Sequence, residues 1–166
     1  MTSLLLYRRR REDNVYITSQ PIVPSRFLDV KPDRVSGGRA VFLGYVRENN
    51  DGKKVAKLFY ECYQALAEKR IERIIDEARK RWNLEDARVI HRIGWLDIND
   101  IACAIYADAM HRKAAFEACE WILEEVKRDV PSWKKERYED SSAVWLENHN
   151  GPGKDPLNER DYLSRR

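Results

Sequence analysis

The chain has 166 residues, of which 43% are hydrophobic and 36% are charged, a composition that fits one globular domain with a sizeable core. It contains no apolar run of membrane-spanning length, and the short leucine run at positions 4–6 precedes its arginines, unlike a signal peptide, so we expect a cytoplasmic protein with no membrane contact. The formal net charge is +3, but the arginines at positions 8–11 carry more than this excess, so a broad nucleic-acid-binding face is not indicated.

We divide the chain into three parts. Residues 1–13 form a basic N-terminal arm, which we expect to be disordered, with a nucleic-acid or partner contact as the alternative. Residues 14–150 form a single domain. Residues 151–166, which contain Pro152, Gly153 and Pro156, form a C-terminal tail.

The three cysteines, Cys62, Cys103 and Cys119, are widely spaced and lie in strand or helix patterns. They show neither a CxxC spacing nor a Cys/His ligand spacing, so we expect reduced core thiols and no metal site. Nothing in their spacing marks one of them as a reactive thiol.

The first half of the domain is predicted to be mostly strand. Residues 14–18 alternate as a first strand, and a short helix is expected near residues 24–30. Residues 39–47 read as a buried strand, and residues 55–63 as a second strand with Val55 on the same face as Lys57 and Phe59. Because a polar loop with an Asp-Gly turn joins these two strands, we predict that they pair as a hairpin.

The second half begins with an amphipathic helix over residues 65–82. Two strands follow, at residues 86–96 and 99–109, joined by a tight turn at residues 97–100. A last short strand is predicted over residues 143–147. His91 lies within the first of these strands, and we interpret it as a structural histidine rather than a site residue.

A further helix is predicted from His111 to residues 128–130. Its apolar residues recur at steps of three and four, with Phe116 and Leu123 widening a stripe formed by Ala115, Cys119, Ile122 and Val126. Pro131 cannot continue the helix and biases Val130 away from helical dihedrals. Residues 132–136 should therefore continue as loop or strand.

Cations stand at both ends of this helix. His111 and Arg112 lie at its start, while Lys127, Lys134 and Lys135 lie at its end or just beyond. Lysines at a helix C-terminus are also favoured by the helix dipole, and basic side chains beyond it are often merely solvated. The pattern alone leaves that structural explanation open beside an anion-binding site.

Several short motifs nevertheless occur in a characteristic order and spacing. They are Gly38-Arg39-Ala40-Val41-Phe42-Leu43-Gly44-Tyr45-Val46-Arg47, then Glu61-Cys62-Tyr63, then Val89-Ile90-His91-Arg92-Ile93-Gly94, then His111-Arg112 with Phe116, and finally Lys127 followed by Pro131, Trp133, Lys134, Lys135 and Glu136. Together they resemble the catalytic (large) subunit of molybdopterin synthase. The resemblance covers residues 14–149.

The resemblance implies an α+β protein with an α/β-hammerhead fold and an additional small antiparallel sheet. It also implies a sulfurtransferase of molybdenum-cofactor biosynthesis. Such an enzyme inserts two sulfurs into cyclic pyranopterin monophosphate, taking them from the C-terminal Gly-Gly thiocarboxylate of a small ubiquitin-like carrier subunit. No cofactor and no metal are implied. The assembly implied is a homodimer at the core of a heterotetramer with two carriers.

The same resemblance assigns roles to residues of this chain. Lys127 would meet the carrier tail and assist acyl and proton transfer, and Lys134 would hold the substrate and the half-sulfurated intermediate. Arginine forks and a histidine hydrogen bond suit an anionic phosphate. The substrate-binding set implied is Tyr45, Val46, Arg47, His111, Arg112, Lys127, Lys134, Lys135 and Glu136.

Helix geometry constrains how these residues can meet. Arg112 and Lys127 lie roughly 22 Å apart along a helix that rises ~1.5 Å per residue, too far for one small pocket within one subunit. If both ends serve one ligand, the simplest solution is a two-fold dimer in which the His111 end of one chain meets the Lys127 end of its mate. The family resemblance implies the same arrangement.

Some positions depart from the family pattern. The family commonly has an arginine near the C-terminal strand, where this chain offers His149, and Asn99 replaces a usual glycine. The principal rival function is a non-catalytic α+β module that binds RNA or another polyanion, which the absence of an RNP-like strand motif or a GXXG loop argues against. A scaffold that only stabilises the carrier is a third alternative.

Overall fold

The computed structural model describes residues 16–50, 52–139 and 142–146. The predicted basic arm, the C-terminal tail and His149 lie outside these residues, as does the start of the first predicted strand. The described residues form an α+β domain, which confirms the predicted fold class. None of their helices is long and apolar enough to cross a membrane.

The described residues contain three helices and nine strands. The helices are α1 (Pro24–Leu28), α2 (Gln64–Trp82) and α3 (Arg112–Asp129). The strands are β1 (Ile17–Thr18), β2 (Gly38–Tyr45), β3 (Asn49–Asn50), β4 (Lys53–Cys62), β5 (Asp86–Arg92), β6 (Gly94–Asp97), β7 (Ile101–Ala109), β8 (Ser132–Tyr138) and β9 (Ala143–Leu146).

The strands form two sheets. The first has the order β1-β5-β7-β2, with β1 and β5 parallel and the other neighbours antiparallel, so β2 is an edge strand. The second is antiparallel and has the order β3-β4-β8-β9, with β6 also paired to β4. The second sheet is the additional small antiparallel sheet that the sequence predicts.

The main core lies between the first sheet and helices α2 and α3. All nine residues of β7 are buried, and Ile105 packs there with Ile71 of α2 and Ile122 of α3. Burying one such side chain contributes about 1.5–3 kcal/mol to folding. These contacts fix α3, and with it the cations at its two ends, against the first sheet.

The opposite face of the first sheet carries the segment that contains α1. Arg39 donates to both oxygens of buried Asp108, at 2.6 Å each, and its guanidinium lies 4.5 Å from the centre of the Tyr106 ring. The same guanidinium donates to the carbonyls of Leu28 and Val30, at 3.2 and 2.9 Å. One buried ion pair therefore ties β2, β7 and the α1 segment together.

The predicted hairpin of residues 39–47 with 55–63 is wrong. Strand β2 pairs with β7 in the first sheet, and β4 pairs with β3, β6 and β8 in the second. The loop between them folds back at Gly52, where φ is 79°, and forms β3 against the start of β4. An alternating pattern identifies a strand but not its partner, because the side-chain period is the same in every sheet.

Two details of the strand predictions also change. The predicted strand over residues 86–96 is divided before Gly94, which has φ of 87°, and its two parts, β5 and β6, join different sheets. Val55 is buried with Leu58 instead of lying on the face of Lys57, because an irregularity between Val55 and Lys57 shifts the pairing with β8. Phe116 is likewise 65% exposed rather than part of the core stripe.

Candidate functional site

Strand β8 presents two of the predicted site residues on one face. Lys134 lies opposite Tyr60 of β4 and Glu136 lies opposite Leu58, so the four side chains share that face. The Lys134 ammonium lies 2.7 Å from Glu136 Oε1. The Glu136 residue is only 2% exposed. A buried carboxylate therefore fixes the position of this lysine.

The Glu136 carboxylate is held by three residues. Asn50 Nδ2 donates to both of its oxygens, at 3.1 and 3.0 Å, and the Tyr138 hydroxyl donates at 2.9 Å. Burial alone would raise the pKa of Glu136, but the hydrogen bonds from Lys134, Tyr138 and Asn50 outweigh it and lower the pKa. Glu136 is therefore ionised at neutral pH.

Lys127 lies in the last turn of α3, where Nζ is 3.1 Å from Glu124 Oε1. Its ammonium also acts on Cys103 of β7. Full burial raises the pKa of the Cys103 thiol to about 12, the neighbouring Cys119 adds to this rise, and the positive charge of Lys127 opposes it. Lys127 therefore lies near Cys103, which pairs with Gly44 of β2 on one side and with His91 of β5 on the other.

Tyr60 of β4 interacts electrostatically with groups of both sheets. Its pKa is raised to about 12, first by burial and then by the nearby Cys103 and Glu136. Tyr60 also packs with Leu58 of β4 and Ala102 of β7, so the face of the second sheet that carries Lys134 meets the first sheet at β7. Cys103, the next residue of β7, is the thiol on which the charge of Lys127 acts.

The end of strand β2 lies beside the same region. Val46 is buried. Its backbone forms two hydrogen bonds with the turn between β6 and β7. Val46 N donates to the Asp100 carbonyl and Asn99 N donates to the Val46 carbonyl, both at 3.0 Å. Asn99 has φ of 69°, the left-handed conformation that favours the glycine usual at this position. The residues on either side of Val46 are exposed. Tyr45 is 54% exposed, and Arg47 has no ion-pair partner among the described residues.

His111 and Arg112 lie at the opposite end of α3. Two glycines allow the start of β2 to pass close to them: a Cβ on Gly37 would stand 2.2 Å from the Met110 carbonyl oxygen, and one on Gly38 would stand 3.3 Å from Arg112 Cα. Both residues are exposed and have no ion-pair partner among the described residues. Within one chain, the structure does not bring them to Lys127.

The helix dipole does not explain this pair. Positive side chains are disfavoured at a helix N-terminus, yet Arg112 begins the helix and the first turn contains no acidic residue. The dipole argument applies to Lys127 at the other end of α3. Helix stability therefore does not explain the position of Arg112.

Lys135 does not join Lys134 and Glu136 within one chain. Neighbouring strand residues face opposite sides, and Lys135 projects to the outer face of the second sheet, where Nζ lies 5.3 Å from the centre of the Trp145 ring. Phe59, Trp95 and Trp145 form an aromatic cluster on this face. Within one chain, Lys135 therefore faces the opposite side of β8 from Glu136.

Three residues of the region were not predicted from the sequence: Tyr60, Asn50 and Tyr138. Nothing in their spacing indicates their contacts, since Asn50 lies in a short strand of the polar loop and Tyr138 lies beyond the recognised motif. Tyr60 shares a face with Lys134 only because β4 pairs with β8. That pairing was not predicted.

The described residues contain no group of histidine, cysteine and carboxylate side chains suited to a metal ion. The cysteines are free thiols, as expected. Burial raises the pKa of Cys62, Cys103 and Cys119, the last two to about 12 and about 11. Because the thiolate is the reactive form, these cysteines are poor nucleophiles at neutral pH.

Comparison with known proteins identifies relatives of this chain. The sequence model of a family described as MoaE protein matches residues 17–129. The chain is 46% identical over 112 residues to the molybdopterin synthase catalytic subunit of Pyrococcus abyssi, which covers 68% of this chain and 75% of that protein. It is 38% identical over 133 residues to the subunit of the same name from Thermoplasma volcanium, covering 79% and 96%.

A solved structure shows the same fold. The crystal structure of molybdopterin synthase from Staphylococcus aureus superposes with a TM-score of 0.75 at 38% sequence identity. The match covers 80% of this chain and 96% of that chain. The likeness therefore extends over most of the chain.

Proposed function

Because the chain belongs to the MoaE protein family, we propose that it is the catalytic subunit of a molybdopterin synthase. In this role it transfers two sulfurs from the C-terminal thiocarboxylate of a small ubiquitin-like carrier to cyclic pyranopterin monophosphate, forming the dithiolene of molybdopterin. The observation that carries the proposal is the Lys134–Glu136 pair, which lies on the face of the second sheet that meets β7, the strand whose Cys103 thiol is affected by the charge of Lys127.

The residues of this region suit two anionic ligands. Lys134 is held by Glu136 and retains donors for a phosphate, and Arg47 offers a free guanidinium on the same side of the domain. Lys127 lies on a different element, so it can meet the carrier tail while Lys134 retains the half-sulfurated intermediate. Retaining that intermediate matters because one spent carrier must leave before a second carrier binds.

We propose that His111 and Arg112 complete each site from a second copy of the chain. They lie at the Gly38 end of edge strand β2, whereas Arg47 follows its Tyr45 end. Antiparallel pairing of two β2 edges about a two-fold axis exchanges these ends, so the His111 end of one chain lies beside the Lys127 end of its mate. Val41 and Tyr45 on this edge, and Phe116 on α3, are exposed apolar residues that such pairing would cover.

One observation favours the rival function. The outer face of the second sheet combines Phe59, Trp95 and Trp145 with Lys135, and aromatic rings with nearby cations can bind single-stranded RNA. This face lies on the other side of β8 from Lys134 and Glu136. Salt-sensitive RNA binding that is lost in Trp145→Ala would support the rival.

The proposed reaction places the protein in the cytoplasm, where its anionic substrate and carrier would be available. The direct test mixes the purified chain with thiocarboxylated carrier and cyclic pyranopterin monophosphate, and measures the dithiolene product. We expect product only when all three are present and two thiocarboxylates consumed for each product. Carrier binding without product would instead support a scaffold, and RNA binding without product would support the rival.

A further inference from the structure

Tyr60 occupies a position that none of the proposed roles includes. On one side it lies opposite Lys134 of β8, and on the other it lies opposite Gly94 of β6, which has no side chain. The Tyr60 and Lys134 side chains therefore project side by side, and the space on the far side of Tyr60 is not filled by a paired residue. A Cβ at Gly94 would meet no atom within 4 Å.

The Tyr60 ring is fixed in place. It meets the His91 ring edge to face, with the ring centres 4.9 Å apart and an interplanar angle of 83°. His91 is itself held, because its Nδ1 lies 2.9 Å from the Arg92 carbonyl oxygen. A ring fixed in this way holds its hydroxyl at a defined point, as a preorganised donor requires.

The hydroxyl has hydrogen-bonding capacity to spare. Among the described residues it has no hydrogen-bond partner, whereas the Tyr106 hydroxyl donates to Asp86 and the Tyr138 hydroxyl donates to Glu136. Because burial raises the pKa of Tyr60 to about 12, the group keeps its proton throughout the physiological range. It is a neutral donor on the residue that pairs across the strands with Lys134.

Building on the function proposed above, we propose that the Tyr60 hydroxyl is an additional oxyanion-binding donor, which hydrogen-bonds the same anion that Lys134 holds. Lys134 already uses one of its three donors on Glu136, and that carboxylate repels an incoming anion. A phenol adds attraction without a further charge. The anion is either the phosphate of the pterin or the carboxyl end of the carrier tail, since both present oxygen acceptors.

The test compares Tyr60→Phe with Tyr63→Phe. Tyr60→Phe keeps the ring that packs on His91 and removes only the hydroxyl, while Tyr63 is an exposed tyrosine just beyond β4. Calorimetric titrations with cyclic pyranopterin monophosphate, and separately with the carboxylate form of the carrier, give the two dissociation constants without turnover. The kcat and KM values for both substrates are measured alongside.

We expect Tyr60→Phe to raise one dissociation constant, and the corresponding KM, by about tenfold, which is the effect of losing one hydrogen bond to a charged group. An effect on the pterin assigns the donor to the phosphate, and an effect on the carrier assigns it to the tail. If Tyr60→Phe leaves both dissociation constants unchanged, the inference is wrong. This holds even if the kcat of the variant falls. Wild-type protein that binds both ligands but makes no product refutes the proposed function and leaves this inference standing.

Discussion

The Lys134 ammonium lies 2.7 Å from a Glu136 carboxylate oxygen, and this carboxylate is in turn held by Asn50 and Tyr138. The lysine and its partner therefore sit within a network that spans β3 and β8. Because folding lowers the pKa of Glu136, the free energy of unfolding should also depend on pH.

Glu136→Gln should reduce stability at neutral pH and change its dependence on acid. The folded-state pKa of Glu136 is lowered, so its ionised form stabilises the fold above the ordinary glutamate pKa of about 4.3, and this contribution is lost as the pH falls through the lower folded-state value. Urea unfolding at pH 7, 5 and 3 should show the difference from wild type shrinking in acid. Equal differences at all three pH values would contradict this, and exposed Glu139→Gln is the control.

Lys127→Ala should lower product formation by about 100-fold or more while the fold stays intact, because in the proposed mechanism the residue assists proton and acyl transfer. Its ammonium pairs only with Glu124 among the described residues, so little structural support is lost. Single-turnover formation of the dithiolene is the measurement. Lys113→Ala, at the far end of the same helix, is the matched control. Full activity in Lys127→Ala would exclude the residue from the mechanism.

Arg47→Ala should raise the KM for the pterin substrate about tenfold with little change in kcat, because a guanidinium contact with a phosphate is a charged hydrogen bond formed in both ground and transition states. Its exposed side chain contributes little to folding. Steady-state kinetics with the carrier at saturation separate the two constants. Exposed Arg26→Ala, on α1, should behave as wild type. Unchanged kinetics in Arg47→Ala would remove its phosphate role.

Co-expression of an Arg112→Ala chain with a Lys127→Ala chain should restore activity that neither variant has alone. In a shared site, each mixed dimer contains one intact site and one doubly altered site, so random pairing gives about a quarter of wild-type activity. Differently tagged chains allow the mixed dimer to be purified and assayed. No recovery in that dimer would mean that each site is confined to one chain.

Val41→Lys should weaken self-association by about tenfold or more, because it places like charges on two facing β2 edges. Val144→Lys is the control, since Val144 has a similar exposure on β9 of the second sheet (43% against 40%). Sedimentation equilibrium gives the dimer dissociation constant of each variant. An unchanged constant for Val41→Lys would mean that the dimer uses another surface.

The helices could be predicted from the sequence because their signals are local. Apolar residues at helical spacing define α2 and α3, and Pro131 marks the end of α3 one residue after its C-cap, Val130. The strand segments were also recognised, but not their partners. Pairing depends on contacts between distant residues, and a single glycine with positive φ, Gly94, diverts β6 into the second sheet.

The sequence motifs name candidate site residues but do not determine their geometry. The motifs identify Lys127, Lys134 and Glu136. Residues 132–136 could be predicted only as loop or strand, so the sequence did not determine which of them share a face. Once β8 forms, Lys134 and Lys135 must face opposite sides. Tyr60 could not be recognised for the same reason, since only the pairing of β4 with β8 sets it beside Lys134.

The division of one strand run at Gly94 has a mechanical consequence. Lys127 is carried by the helical layer of the first sheet and Lys134 by the second sheet, so a carrier tail held by Lys127 and a pterin held by Lys134 would together contact both sheets. Ligands bound in this way would link the two sheets. Occupancy should thus appear as a higher melting temperature and slower amide exchange in β5 and β6, before any sulfur has moved.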